Sequence, residues 1–262
     1  MVRTRSPAVA GAFYPDDRAV LSEAVRGYVS SASAVEGAPP KALIAPHAGF
    51  VYSGPVAGTA YRCLAPLRDR IRRVVLLGPS HRVAFRGIAA PTSDRFETPL
   101  GVVSVDRKAF GAVEDLPQLV FRDDAHRLEH SLEVQLPFLQ IVLGDFALVP
   151  LVVGEANAEE VAEVLDRLWD GDETLIVVSS DLSHYHDYER ARALDARTTR
   201  AIESLQPEAI DFEDACGAAP VRGLLVAARA RGMTARAIDV RSSGDTAGPR
   251  DRVVGYGAYV FA

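Results

Sequence analysis

The chain has 262 residues, 48% hydrophobic and 24% charged, with 29 Lys and Arg against 35 Asp and Glu for a net charge of −6. That length suits one large α/β domain with a sizeable core, and a mildly acidic chain without a basic block argues against a nucleic-acid partner. The longest apolar runs fall far short of the ~20 residues of a membrane span. The first residues, Met1-Val-Arg-Thr-Arg-Ser-Pro7, lack the apolar core of a secretory signal. Two cysteines make no disulfide framework, so the expected compartment is a reducing cytoplasm.

In chain order, residues 6–15 mix turn residues with apolar ones and are too apolar for a free tail; they are expected to lie along the body and help wall a site. Residues 16–30 carry an apolar period near 3.6 (Ala19, Val20, Leu21, Ala24, Val25, Tyr28), which predicts a helix, and 30–40 reads as a loop. Residues 41–45 predict a buried strand that breaks at Pro46 and delivers His47. Ser53 is the expected N-cap, and Pro55 the first turn, of a helix over 55–64. Cys63 in that helix reads as a small core hydrophobe. Residues 72–77 predict a second strand, followed by Gly78-Pro-Ser-His81. A strand over 87–90, a hairpin over 96–105 turning at Thr98-Pro-Leu-Gly101, and a short helix over 106–113 come next.

Residues 123–139 hold His126, His130 and Glu133 at spacings of four and three. On a helix they would share one face, and such i, i+4 histidines can bind zinc; the plainer alternative is a polar helix face. Residues 146–153 predict a strand and 158–169 an amphipathic helix. A strand over 174–178 leads to Asp181, His184, His186 and Asp187. Helices over 188–205 and 219–231 follow, with a short turn over 207–212 between them. A strand over 234–241, a glycine-rich loop over 242–249 and a last strand over 253–261 end the chain. The alternation predicts an α/β fold in one domain over 1–262, with a mixed, mostly parallel sheet and helices on both faces.

Three buried-strand patterns thus each present a histidine a few residues later: His47, His81 and His184. In parallel neighbours these converge at the carboxyl end of one sheet, where open α/β sheets bind ligands. A lone histidine after a strand is ordinarily a hydrogen-bonded loop residue; three alike point to a shared polar or metal site. Cys216 precedes Gly217 and a helix start, where free N–H groups would favour a thiolate. Histidines, a cysteine and carboxylates suit iron, copper or zinc. A metal-free alternative makes Cys216 a nucleophile, with His184 or His81 as base and Asp181 orienting it.

Taken together, certain stretches resemble the Memo family, also called AmmeMemoRadiSam system protein B. They are Pro7-Ala-Val-Ala-Gly-Ala-Phe-Tyr-Pro15, Pro46-His-Ala-Gly-Phe-Val-Tyr-Ser-Gly54, Gly78-Pro-Ser-His81, Glu129-His-Ser-Leu-Glu-Val-Gln-Leu-Pro-Phe-Leu139, Ser179-Ser-Asp-Leu-Ser-His-Tyr185, Ala215-Cys-Gly217, Ser243-Gly-Asp245 and Val253-Val-Gly-Tyr256. The resemblance covers nearly the whole chain. It implies a fold similar to the class III extradiol ring-cleaving dioxygenases, which use non-haem Fe²⁺. It also implies His47, His81 and Cys216 as metal ligands, with Asp181 and His184 as catalytic residues lining the same pocket. His126, His130 and Glu129 are implied to be neighbours. The implied metal is Fe²⁺, or copper, with Zn²⁺ a further candidate. Where those dioxygenases carry a carboxylate ligand, this chain offers Cys216. A thiolate donates more charge, favours softer metals and can itself be oxidised, which argues against ordinary catechol cleavage. The expected function is a cytoplasmic, metal-binding, dioxygenase-like redox protein acting on a small molecule. The rival is a binding or scaffold protein that holds a peptide or metal in the same pocket without turnover. A radical-SAM protein and AmmeMemoRadiSam system protein A are the implied partners, with neither nucleic acid nor membrane.

Overall fold

A computed structural model describes residues 2–35 and 37–262; Met1 and Glu36, the latter within the loop predicted over 30–40, lie outside the described residues. The chain runs through β1 (Thr4–Arg5), α1 (Arg18–Ser31), β2 (Ala42–Ala45), α2 (Phe50–Arg62) and β3 (Arg73–Pro79). Next come β4 (Ile88–Ala90), β5 (Arg95–Thr98), β6 (Gly101–Val105), β7 (Leu119–Phe121), α3 (Asp123–Arg127), α4 (Leu136–Leu143), β8 (Ala147–Val153), α5 (Ala158–Leu168) and β9 (Thr174–Ser179). The last third holds β10 (His184–His186), α6 (Tyr188–Glu203), α7 (Ala218–Ala230), β11 (Ala235–Ser242), α8 (Ser243–Thr246) and β12 (Val253–Phe261).

The strands form one mixed sheet in the order β1-β5-β6-β8-β3-β9-β2-β12-β10, with β11 also on β12 and the β4–β7 pair on β8. Its centre, β6-β8-β3-β9-β2, is parallel throughout, and β12 joins β2 antiparallel. From β2 the chain crosses through α2 to β3, and from β8 through α5 back to β9. These crossovers run in opposite directions along the sheet, so their right-handedness places α2 and α5 on opposite faces. α1, α2 and α4 pack together on one side, and α5 packs on α7 on the other. With both faces covered, β2 and β9 are buried end to end and β3 from Val74 onward. That is why they read as unbroken apolar runs instead of alternating ones.

Several boundaries differ from the sequence expectation, each for a local reason. α2 starts at Phe50, not at residue 55, and contains Pro55. Ser53 is not its N-cap; its Oγ donates to the Ala48 carbonyl at 2.7 Å. The Phe50 ring is packed against Tyr14, Tyr28 and Phe138, and its N–H donates to the Phe13 carbonyl at 2.7 Å. The chain is therefore set into helical geometry before the proline arrives. Residues 106–113 shrink to a 3-10 turn over Ala109–Ala112. The helix expected across 123–139 breaks after Arg127 and resumes at a 3-10 turn over Glu133–Gln135 leading into α4. There the Glu129 carboxylate accepts the His130 and Ser131 N–H groups, each at 2.9 Å, diverting donors a continuous helix would use. Inside the glycine-rich loop, Ser242 and Asp245 cap the short α8 reciprocally.

The N-terminal segment lies along the body, as expected. Glu133 is fully buried and holds it: its carboxylate pairs with Arg5 and accepts the Ala8 N–H (2.8 Å), the Val9 N–H (3.0 Å) and the Tyr14 hydroxyl (2.5 Å). Among the described residues no helix is long and apolar enough to cross a membrane.

Candidate metal centre

β9 lies between β2 and β3, parallel to both. Their carboxyl ends therefore release Asp181, His47 and His81 at one edge of the sheet. Cys216 comes to the same place just ahead of α7. One ligand atom each from His47, His81 and Cys216 falls within 4.8 Å of the others. Cys216 Sγ lies 3.2 Å from His47 Nε2, and the two imidazole rings stand edge to face at 5.2 Å.

The tautomer of His47 follows from its surroundings. Ser179 Oγ donates its one proton to the Ser131 carbonyl at 2.6 Å and accepts from Gln135 Nε2 at 2.7 Å. Its remaining contact, His47 Nδ1 at 2.8 Å, must then be an N–H donating to that oxygen. That leaves the Nε2 lone pair of the fully buried His47 facing Cys216. His81 is set the same way: its Nδ1 lies 2.9 Å from Glu129 Oε1, so Nε2 is free to ligate. A carboxylate or hydroxyl behind each imidazole is the usual means of fixing a metal-ligating histidine.

Electrostatics favour neutral imidazoles. Burial, then the neighbouring His81, His130 and His184, hold the His47 pKa well below its ordinary value. Burial likewise lowers His130 to about 4, the Glu129 charge opposing it. Burial alone would raise Glu129; the His81 ring and the backbone N–H groups of Ser131 and His81 outweigh it and hold that carboxyl at about 2. Cys216 departs from the expectation of a favoured thiolate. Burial, reinforced by the Asp181 carboxylate, pushes its thiol up, and the Gly217 N–H is directed to Ser180 Oγ at 3.0 Å. A buried thiol of this kind ionises only against a positive charge. The donor set, two imidazole lone pairs and a sulfur converging on one point, therefore fits a transition metal better than a free nucleophile.

Asp181 is buried, and burial raises its pKa, His184 opposing. Its Oδ1 accepts the His47 N–H at 2.7 Å, and its own N–H faces Cys216 Sγ at 3.3 Å. It thus ties together the two segments that carry His47 and Cys216. His184 projects from β10 into a cavity of about 770 Å³ shared with Tyr52, His130, Asp181 and Tyr256. His81 and Cys216 also face a second cavity of about 530 Å³ beside Val83, Phe85 and Pro220. A larger hollow of about 1160 Å³, between α1 and the end of α2, contains none of the histidines. There Arg62 and Arg68 are engaged with the carbonyls of Val29, Ser30, Ile141 and Val142.

The two histidines expected to share a helix face separate. His126 is buried, its Nε2 2.9 Å from the Ala89 carbonyl, and lines no part of the cavity. His130 enters the site: its ring stacks on His81 at 4.5 Å, stands edge-on to His47 at 5.4 Å and touches Phe13 at 4.6 Å. His81, Glu129 and His130 form a second group of mutually close ligand atoms. Sequence reasoning missed Ser179 and Gln135. The available signal was a serine and a glutamine next to stretches that are otherwise apolar.

An α/β protein with a histidine–cysteine cluster at the carboxyl edge of its parallel strands is the class this geometry defines. The family model described as Memo-like protein matches residues 5–260. The MEMO1 family protein of Aquifex aeolicus is 35% identical over 271 residues, covering 99% of this chain and 100% of its own. That of Aeropyrum pernix is 37% identical over 282 residues, covering 98% and 99%. This chain belongs to the Memo-like family. The crystal structure of an uncharacterized Escherichia coli K12 protein is similar at a TM-score of 0.49 and 13% identity, covering 84% of this chain and 98% of that one.

Proposed function

We propose that this chain is a metal-binding redox protein that holds one Fe²⁺ or copper ion on His47, His81 and Cys216, with Zn²⁺ as a competitor. It would act on a small molecule in the adjoining cavity. The observation that carries this reading is the convergence of three ligand atoms within 4.8 Å, both imidazoles oriented from behind. When bound, such a metal supplies Lewis-acid and one-electron chemistry. In this reading His47 and His81 ligate through Nε2, while Ser179 and Glu129 keep their Nδ1–H groups turned away. Asp181 holds the His47 segment beside Cys216. His184 is the group placed to give or take a proton at the bound molecule. Bare metal storage would need Asp181 to hold the site together but not His184 in the cavity wall, which favours chemistry over the scaffold alternative. A reducing cytoplasm suits a metal-ligating cysteine, and a radical-SAM protein and AmmeMemoRadiSam system protein A remain the proposed partners.

The test is anaerobic titration of reduced apo-protein with Fe²⁺, Cu⁺ and Zn²⁺, comparing wild type with His47→Ala, His81→Ala and Cys216→Ser. The expected result is stoichiometric binding by wild type that all three variants lose, with O₂ consumption by the Fe²⁺- or Cu⁺-loaded protein. Binding indifferent to these changes refutes the site. Stoichiometric binding without O₂ consumption or superoxide formation favours the scaffold.

A further inference from the structure

Tyr185 has φ of 63°, a left-handed conformation that a bulky side chain adopts only under constraint from its surroundings. It is the extra residue of a bulge: His184 pairs with Val254 and His186 with the adjacent Val253, leaving Tyr185 between them. The bulge keeps both histidines on the 770 Å³ cavity and puts the Tyr185 ring at its mouth, 62% exposed. Over that ring lies the Arg252 guanidinium, 4.5 Å from the centroid. Arg250, two residues earlier, has Asp245 as an ionic partner. Among the described residues Arg252 has no ion pair and no hydrogen bond, only this stacking.

Among the described residues, two acids line this cavity. Asp181 is buried and already accepts the His47 N–H, and Glu213 is exposed. Among the described residues the arginine lining it is Arg252, and His184 and His186 line it as well. Phe13, Tyr52 and Tyr256 supply flat walls. A guanidinium stacked on an aromatic face keeps its N–H edges free, and its planar fork matches a carboxylate in two parallel hydrogen bonds. A cavity of this size takes one small organic molecule.

We propose that the cavity recognises a planar small molecule bearing a carboxylate, which Arg252 grips at the mouth while the planar body reaches toward the cluster. This rests on reading the cavity as a small-molecule site, and adds the chemical class of what it holds. Benzoate, its neutral analogue benzamide, and phenyl phosphate serve as probes. Their affinities are measured by calorimetry on metal-free and Zn²⁺-loaded wild type, R252Q and R252K. The metal-free arm separates Arg252 from direct carboxylate–metal contact. Benzoate is expected to bind about tenfold or more tighter than benzamide, the scale of a charge-assisted bidentate pair. R252Q should bring the two within about twofold, and R252K should retain part of the preference, since charge persists but the fork is gone. Equal affinities in wild type, a preference that survives R252Q, no detectable binding of either probe, or tighter binding of phenyl phosphate overturns the proposal. The metal reading fails separately: a benzoate preference in a protein that binds no metal refutes the metal site alone, and intact metal binding without the preference refutes Arg252 alone.

Discussion

Glu129 grips His81 twice. Its Oε2 accepts the His81 backbone N–H at 2.6 Å and its Oε1 faces the ring Nδ1 at 2.9 Å. The same Oε1 also accepts the N–H groups of His130 and Ser131. A single buried carboxylate therefore positions the loop, the ring tautomer and the neighbouring imidazole.

Glu129→Gln removes the charge that orients His81 while keeping the size of the side chain. Metal affinity is expected to fall about 10–100-fold, the usual effect of losing the partner behind a ligating histidine. Competition titration against a chelator measures it. An affinity unchanged from wild type would place His81 outside the coordination sphere.

Glu133→Ala leaves Arg5 buried without its partner and strips acceptors from Ala8, Val9 and Tyr14. Breaking a buried ion pair from one side is expected to cost about 3–5 kcal/mol in urea unfolding. Phe13 packs on His130 at 4.6 Å, so release of this segment also opens one wall of the cavity. Faster proteolytic cleavage before residue 15 would report it. Unchanged protection of that segment would mean that it is held by other contacts.

Asp195 is buried in α6, its Oδ1 accepting the Ser183 N–H at 3.0 Å. Burial first, with Asp214 adding to it, raises its carboxyl from 3.8 to about 6, although the Ser183 hydrogen bonds oppose the shift. A carboxyl raised on folding stays protonated in the native state while the unfolded chain ionises. Stability is therefore present below about pH 4 and is lost as pH rises through about 6. Asp195→Asn should be more stable than wild type at pH 7 by about 1–3 kcal/mol and no more stable at pH 4, as read by urea melts at the two values. A gain that is the same at both pH values would point to packing instead of charge.

Much of the sheet was legible because β2, β3 and β9 are buried on both faces and so appear as continuous Val, Leu and Ile runs. The histidines that follow two of them converge because those strands are parallel neighbours of the third. Less was legible where side chains rewrite the backbone. The capture of two N–H groups by Glu129 cannot be read from the spacing of His126 and His130, which by itself suggests one helix. β10 escaped because His184, Tyr185 and His186 are polar, partly exposed residues with no apolar alternation. Cys216 had only the following Gly217 to mark it locally. That glycine is needed because a Cβ there would sit 2.6 Å from the Ser180 side chain. Without a positive charge beside it, the Cys216 thiol is pushed up, because burial and Asp181 outweigh the helix start.

His81, Phe212 and Cys216 form a shared wall between two chambers, one of about 770 Å³ and one of about 530 Å³. A molecule filling either chamber touches the same three side chains. Two chemically unrelated compounds, one aromatic and anionic, the other small and greasy, would therefore influence each other's binding across this wall without ever meeting. Kinetic or calorimetric data from such a pair would look like competition although each occupant kept its own room.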